Sequence, residues 1–217
     1  MREIWAPEAK IRLERQLWIA VMRAQQELGI SIPKGIPEKY EAVIDTVNLE
    51  SIAERERVTK HDVKARIEEF NDLAGAEHIH LGMTSRDLTE NVEQLQIRLS
   101  LIVTRDKSIA ALDRLSGLAV AYSELAMAGR SHNVAAQITT LGKRMATFAE
   151  ELLFAVERLE ELIDAYPLRG IKGPVGTAQD MHTLLNGNAE ALLALESRVA
   201  AHLGFNNLFT SVGQVYP

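Results

Sequence analysis

"DLTENVEQLQIRLSLIVTRDKSIAALDRLS", residues 87–116, contains neither glycine nor proline. Leu88, Val92, Leu95, Leu99, Ile102, Ile109, Leu112 and Leu115 recur along it at helical spacing. A helix of about 30 residues is roughly 45 Å long, far above the usual mean of about 11–12 residues. Only Gly117 interrupts the pattern before Met127. A second stripe follows, through Leu141, Met145, Phe148, Leu152, Val156, Leu159 and Ile163. Helices of this length in antiparallel succession imply a bundle. No run shows convincing period-two alternation, so the expected fold is all-α.

The flanks read as shorter helices and breaks. Residues 7–28 place Ile11, Leu17, Trp18, Val21, Met22 and Leu28 on one face, with Pro7 at a first-turn position and Gly29 as a stop. After the break "SIPKGIP" (31–37), "ERVTKHDVKARIEEFNDLAG" (56–75) reads as a helix capped by Thr59 and closed near Gly75. "EHIHLGMTS" (77–85) leads to another capped start at Thr84 or Ser85. Downstream, "YPLRGIKGPVGTAQDM" (166–181) is too long and too rich in Gly and Pro for a plain turn. A last helix is expected at about 188–203. The expected organisation is a small N-terminal helical domain (1–83), then the first part of a long-helix bundle (84–217).

Composition narrows the function. The 217 residues hold no cysteine, which excludes disulfides, thiolate nucleophiles and cysteine-bound metals, and fits a cytoplasmic setting. A net charge of -6 argues against nucleic-acid binding. The longest strongly apolar run, "LSLIV" (99–103), is flanked by Arg98 and Arg105 and is too short to span a bilayer. The charged N-terminus is unlike a signal peptide. An anionic ligand would have to be met by local donors.

Three short stretches offer them. In "LGMTSRDLTEN" (81–91), Thr84 and Ser85 sit at a helix start, where hydroxyls cap free backbone N–H groups and where anions are favoured. Asp87 and Asn91, one turn apart, would brace that loop or site. In Lys60-His61-Asp62, the flanking charges are either solvated or hold the histidine's charge and tautomer. In "AGRSHNVAAQITTLGKR" (128–144), His132 lies among small residues ahead of a helix. It is either a surface histidine or a general acid suited to neutral pH. Glu77 and His80 form one E-x-x-H spacing, but a di-metal bundle needs two such motifs on long helices; no metal site is expected.

In order, "ERVTKHDVKARI", "HLGMTSRDLTEN", "GRSHNVAAQITTLGKR", "RGIKGPVGT" and "SVGQVY" resemble the adenylosuccinate lyases, a family of the fumarase/aspartase superfamily. The resemblance runs from Ile4 to Pro217. It implies β-elimination of fumarate from adenylosuccinate and from succinylated aminoimidazole carboxamide ribotide, with no cofactor. It implies His132 as general acid and His61 as a catalytic residue that orients the substrate with Lys60 and Asp62. It further implies that Thr84 and Ser85 hold a succinyl carboxylate and that Gln214 binds substrate. The implied assembly is a homotetramer with active sites shared between subunits, acting on a nucleotide and on neither nucleic acid nor membrane.

Three departures accompany the resemblance. The family's Arg-Tyr pair for the nucleotide phosphate lies upstream of Met1, and Lys60 stands where an arginine is usual. The signature loop bearing the catalytic serine, and the C-terminal domain, are not in these residues. The chain is therefore expected to be an N-terminal half that is inert alone. The rival readings are a sister lyase such as an argininosuccinate lyase, and a non-catalytic helical scaffold.

Overall fold

The computed structural model describes residues 1–213; Gln214 lies outside the described residues. Helix α1 (Arg2–Trp5) leads into α2 (Pro7–Glu27), followed by α3 (Ile36–Ala42), α4 (Leu49–Thr59) and α5 (Asp62–Ala74). The long α6 spans Ser85–Ala121. Strands β1 (Ala126–Ser131) and β2 (Val134–Thr140) form an antiparallel hairpin, and α7 (Leu141–Ala165) follows directly. The chain continues through β3 (Pro167–Leu168), α8 (Gln179–Leu184), α9 (Ala189–His202) and β4 (Asn207–Leu208), with β3 and β4 paired in parallel. The architecture is all-α apart from these short strands.

Two compact units divide the chain: residues 1–98 with 165–217, and residues 99–164. The first has its core around α2, which packs against α9 and α3 and reaches Phe70 of α5 through Trp18. Leu17, Trp18, Tyr40, Phe70, Leu88, Met181 and Leu195 are almost fully buried. Trp18 stacks on Phe70 with centroids 6.2 Å apart, and Tyr40 meets Phe70 edge-on at 4.9 Å. Tyr40 Oη lies 2.6 Å from both Asn71 Oδ1 and Ala76 O, and accepts from His78 N–H at 3.1 Å. These bonds pin the segment that leads to Thr84.

The second unit holds the rest of α6, the hairpin and nearly all of α7. Gly142, at the start of α7, is there because nothing larger fits. A Cβ would come within 2.4 Å of Ala119 O and 2.6 Å of Ser123 Cα. Only Gly142, Ala149, Val156 and Ile163 of α7 are buried, all four at seven-residue intervals. Phe148, Leu153, Phe154 and Leu162 are open to solvent.

The structure corrects two expectations. α6 ends at Ala121, short of Met127, and residues 126–140 form a hairpin where no strand was expected. His132 and Asn133 both have positive φ (49° and 61°), as the two central residues of a tight hairpin turn require. Asn and His tolerate that region better than most side chains, and Val134, Ile138, Thr139 and Thr140 suit a strand. Small Ala and Gly residues and a bulge between Ala128 and Arg130 hide the alternation. The helix after "KHD" also starts later than expected. Thr59 is the last residue of α4, Lys60 turns the chain with φ 55°, and His61 is the N-cap of α5.

Candidate functional site

Each candidate stretch occupies a place where the backbone changes course. Lys60's left-handed conformation ends α4 and starts α5 after a single further residue. At that corner His61 Nδ1 accepts the Lys64 N–H at 3.3 Å. A neutral ring that accepts at Nδ1 carries its proton on Nε2. That nitrogen faces Ser85 Oγ at 3.5 Å. Asp62 Oδ1 lies 3.5 Å from the same Nδ1, placed to meet its N–H once the ring is protonated. Burial alone would raise the Asp62 carboxyl. The Val63 N–H and Arg66's hydrogen bond and charge outweigh burial and hold it below the usual range.

The helix start at Thr84 is built from the other side. Thr84 N–H donates to Asp87 Oδ2 at 2.9 Å, one half of a capping box, so the backbone donor is satisfied by Asp87. The Thr84 hydroxyl makes no hydrogen bond among the described residues. Two hydroxyls therefore stand at the positive end of a 37-residue helix. A cleft of about 320 Å³ opens there, bordered by Lys10, Asp62, Val63, Ser85, Arg86, Thr89 and Glu93. Its volume is at the small end of ligand pockets, and its rim sets Lys10 and Arg86 against Asp62 and Glu93.

Asp87 and Asn91 brace the structure, as their spacing suggests. The buried Asp87 carboxylate pairs with Arg169 Nη1 and accepts the N–H groups of Lys172 (2.9 Å) and Gly173 (3.0 Å). Asn91 accepts from Gly170 N at 3.0 Å and donates to Gly170 O at 2.9 Å. Arg169 Nε also pairs with Glu90 at 2.7 Å, while Arg169 Nη2 donates to Gly213 O at 3.3 Å. The "RGIKG" segment is thus clamped to the first turns of α6, and the chain is held immediately before Gln214.

Sequence reasoning missed several participants. Lys10, Arg66 and Arg86 surround the corner, and Glu196 receives Lys172 Nζ at 2.7 Å and Ile171 N at 2.9 Å. The Asp62–Arg66 pair is legible as an i,i+4 spacing. The partners from α2 and α9 carry no local signal.

His61 and Ser85 are brought together in the first unit. Thr84 adjoins Ser85, and Lys60 and Asp62 flank His61. His132 stands exposed at the hairpin tip of the second unit, with Arg130 Nη1 donating to Asn133 O at 3.0 Å. His80 is part of the first unit's core. Trp18 Nε1–H donates to His80 Nδ1 at 3.0 Å, and burial depresses the ring to about 4, helped slightly by the His61 charge. Indole can only donate, so His80 is neutral with its proton on Nε2. Among the described residues no cluster of three or more metal-ligating side chains occurs, and no helix is long and apolar enough to cross a membrane.

Comparison with known proteins agrees with this architecture. The adenylosuccinate lyase of Saccharomyces cerevisiae is 33% identical over 93% of this chain and 43% of its own length. That of Methanocaldococcus jannaschii is 33% identical over 97% of this chain and 45% of its own. An N-acetyl-S-(2-succino)cysteine lyase from Enterococcus italicus is 32% identical over 82% and 40%. The chain spans less than half the length of each. In fold it superposes on a Mesorhizobium fumarate lyase with a TM-score of 0.78 at 23% identity, covering 97% of this chain and 49% of that one. It superposes likewise on the 3-carboxy-cis,cis-muconate lactonizing enzyme of Pseudomonas putida, at 0.79 and 20%, over 97% and 48%. The sequence profile of the lyase family matches residues 3–209. With the profile matched over nearly all of its length, the chain belongs to the lyase family.

Proposed function

We propose that the chain is part of an adenylosuccinate lyase and that the corner between α5 and α6 is its succinyl-binding region. The observation that carries this reading is the approach of His61 Nε2 to Ser85 Oγ, 3.5 Å apart. Two motifs separated by 24 residues converge beside the uncommitted Thr84 hydroxyl. Hydroxyls at a helix N-terminus suit a carboxylate. An imidazole with a fixed tautomer suits a neighbouring hydrogen-bonding or ionic role, and adenylosuccinate lyases are among the relatives.

In the reaction, a base removes a proton from the succinyl carbon next to a carboxylate. That electron pair forms the C=C bond, the C–N electrons pass to the purine-side nitrogen, and His132 protonates that nitrogen. Fumarate and AMP leave, and atoms and charge balance without a cofactor. The same elimination from the succinylated aminoimidazole carboxamide ribotide also yields fumarate. Thr84 and Ser85 hold the succinyl carboxylate, His61, Lys60 and Asp62 orient the substrate, and Gln214 binds it. The open apolar faces of α6 and α7 serve a homotetramer whose subunits share active sites, working in the cytoplasm.

The Enterococcus relative supports a second reading, elimination from a succinylated thiol. Presenting the complete protein with adenylosuccinate and with N-acetyl-S-(2-succino)cysteine in parallel tests the choice. The proposal expects AMP and fumarate in equal amounts from the first and no comparable fumarate from the second. The reverse preference would overturn it.

A further inference from the structure

Behind the His61 corner lies a carboxylate that nothing so far uses. Glu14, on α2, is completely buried. Its Oε2 is 2.8 Å from Arg66 Nε but off the N–H direction, so neither Glu14 oxygen accepts a directed hydrogen bond. Arg66 turns its Nη2 to Asp62 Oδ2 at 2.8 Å, and the other Asp62 oxygen faces His61 Nδ1. A continuous line of charged groups thus runs from the interior to the residue that faces Ser85. Arg66 is itself mostly buried, with a side-chain exposure of 11%. It is held between two carboxylates, one inside the protein and one at the site.

We propose that Glu14 is a positioning residue for the His61–Ser85 site, acting through Arg66 and Asp62. The inference rests on the succinyl-binding reading of that site. Its logic is competition for one guanidinium. When Glu14 is charged, Arg66 divides its attraction, and Asp62 keeps a larger share of its negative field for His61. When Glu14 is neutral, Arg66 belongs to Asp62 alone and draws the carboxylate away from the histidine. The groups facing Glu14 are Lys10 and Arg15 on α2 and Asp62 and Arg66 on α5, while Arg86 and Glu93 of α6 border the adjoining cleft. Burial pushes the Glu14 carboxyl up to about 7, with Arg66 and Lys10 only partly offsetting it. The competition therefore changes sides near neutral pH. A buried carboxylate with no directed hydrogen bond weakens the fold, so its presence calls for a reason other than stability.

Glu14→Gln tests this with little change of shape. In the complete protein, the Arg66 Nε–H resonance should move once between pH 5 and 9 with a midpoint near 7, and the Asp62 carboxyl carbon, which stays ionised throughout that range, should report the same step. Both steps should vanish in E14Q. The melting temperature of E14Q should exceed that of the wild type at pH 8 and equal it at pH 5. KM for adenylosuccinate should be about 3- to 10-fold higher in E14Q above pH 7, the size of coupling seen between interacting neighbours. The wild-type KM should rise to meet it below pH 6. Arg66→Lys, which keeps the charge but cannot fork between two carboxylates, should raise KM without raising the melting temperature. Absence of the Arg66 step, or a step that never reaches Asp62, overturns the inference. So does an active enzyme whose E14Q KM matches the wild type at every pH. If adenylosuccinate is not cleaved, the functional reading has failed, and the two resonances still decide the Glu14 chain.

Discussion

Asp87 illustrates how one carboxylate organises a neighbourhood. It satisfies the Thr84 N–H, pairs with Arg169, and receives two further backbone donors from the loop after β3. Breaking one partner of a buried ion pair typically costs about 3–5 kcal/mol. Asp87→Asn should lose much of that in chemical denaturation, because an amide cannot accept from so many donors at once. Thr84 should behave differently. Its hydroxyl has no internal hydrogen bond to lose, so Thr84→Val should leave stability within about 0.5 kcal/mol, as for a neutral surface change. Fumarate and substrate binding should weaken by roughly 1.5–3 kcal/mol, the worth of a hydrogen bond to a charged group. Calorimetric titration beside a melting curve separates the two; unchanged affinity with a lower melting temperature would make Thr84 a cap only. At this scale the sequence was informative where partners are local. Asp87 and Asn91 announce themselves by spacing one turn apart. Arg169, 82 residues from Asp87, does not.

At the scale of elements, the long α6 was readable from its apolar period, and the hairpin was not. Strands of Ala, Gly and Ser around a bulge have no alternation to detect, and the only trace is the His132-Asn133 pair, which tolerates positive φ. Replacing Asn133 with Val should destabilise the turn by about 1–2 kcal/mol, the cost of a left-handed conformation for such a side chain, seen as faster amide exchange in β1 and β2. Asn133→Gly should not. The placement of His61 was also only partly legible: the start near "KHD" was visible, but Thr59 was read as its cap, and the left-handed turn at Lys60 moves the start to His61.

Two elements also carry opposite pH dependences. Glu14 binds its proton more tightly folded than unfolded, since its carboxyl lies at about 7 rather than 4.5. Its contribution is therefore most favourable at low pH and is lost as pH rises from about 4.5 to 7, an effect of order 3 kcal/mol. His80, at about 4 rather than 6.5, binds its proton less tightly folded. Its contribution is present above about 6.5 and lost as pH falls to about 4, by a few kcal/mol at most. Unfolding free energies of E14Q and His80→Gln between pH 4 and 8 check this. E14Q should gain relative to the wild type as pH rises, and His80→Gln should be less sensitive to acid. Identical pH slopes in all three proteins would contradict both assignments.

Across the whole molecule, large apolar side chains are unevenly covered. The first unit buries its large side chains around Trp18 and Phe70, whereas Phe148, Phe154 and Leu162 of α7 and Ile109 and Leu118 of α6 remain open. Each such area left in water forgoes about 25 cal/mol per Å². Periodicity marked Ile109 and Phe148 as stripe residues, yet both are exposed, and Leu118, Phe154 and Leu162 lie off the stripes it picked out; period alone does not say which apolar side chains find a covering neighbour. On the proposed function, the α5–α6 corner and the His132 hairpin both serve one elimination. The decisive measurement of this reading is fumarate release from adenylosuccinate by the complete protein, compared across the wild type, His132→Gln and the Thr84→Val/Ser85→Ala double variant. Robust release is expected from the wild type, with a fall in kcat of about 10²–10⁴ for His132→Gln, the usual worth of a positioned general acid. A higher KM is expected for the double variant, with folding intact throughout. A wild type that releases no fumarate, or variants that release it at the wild-type rate, would contradict this reading.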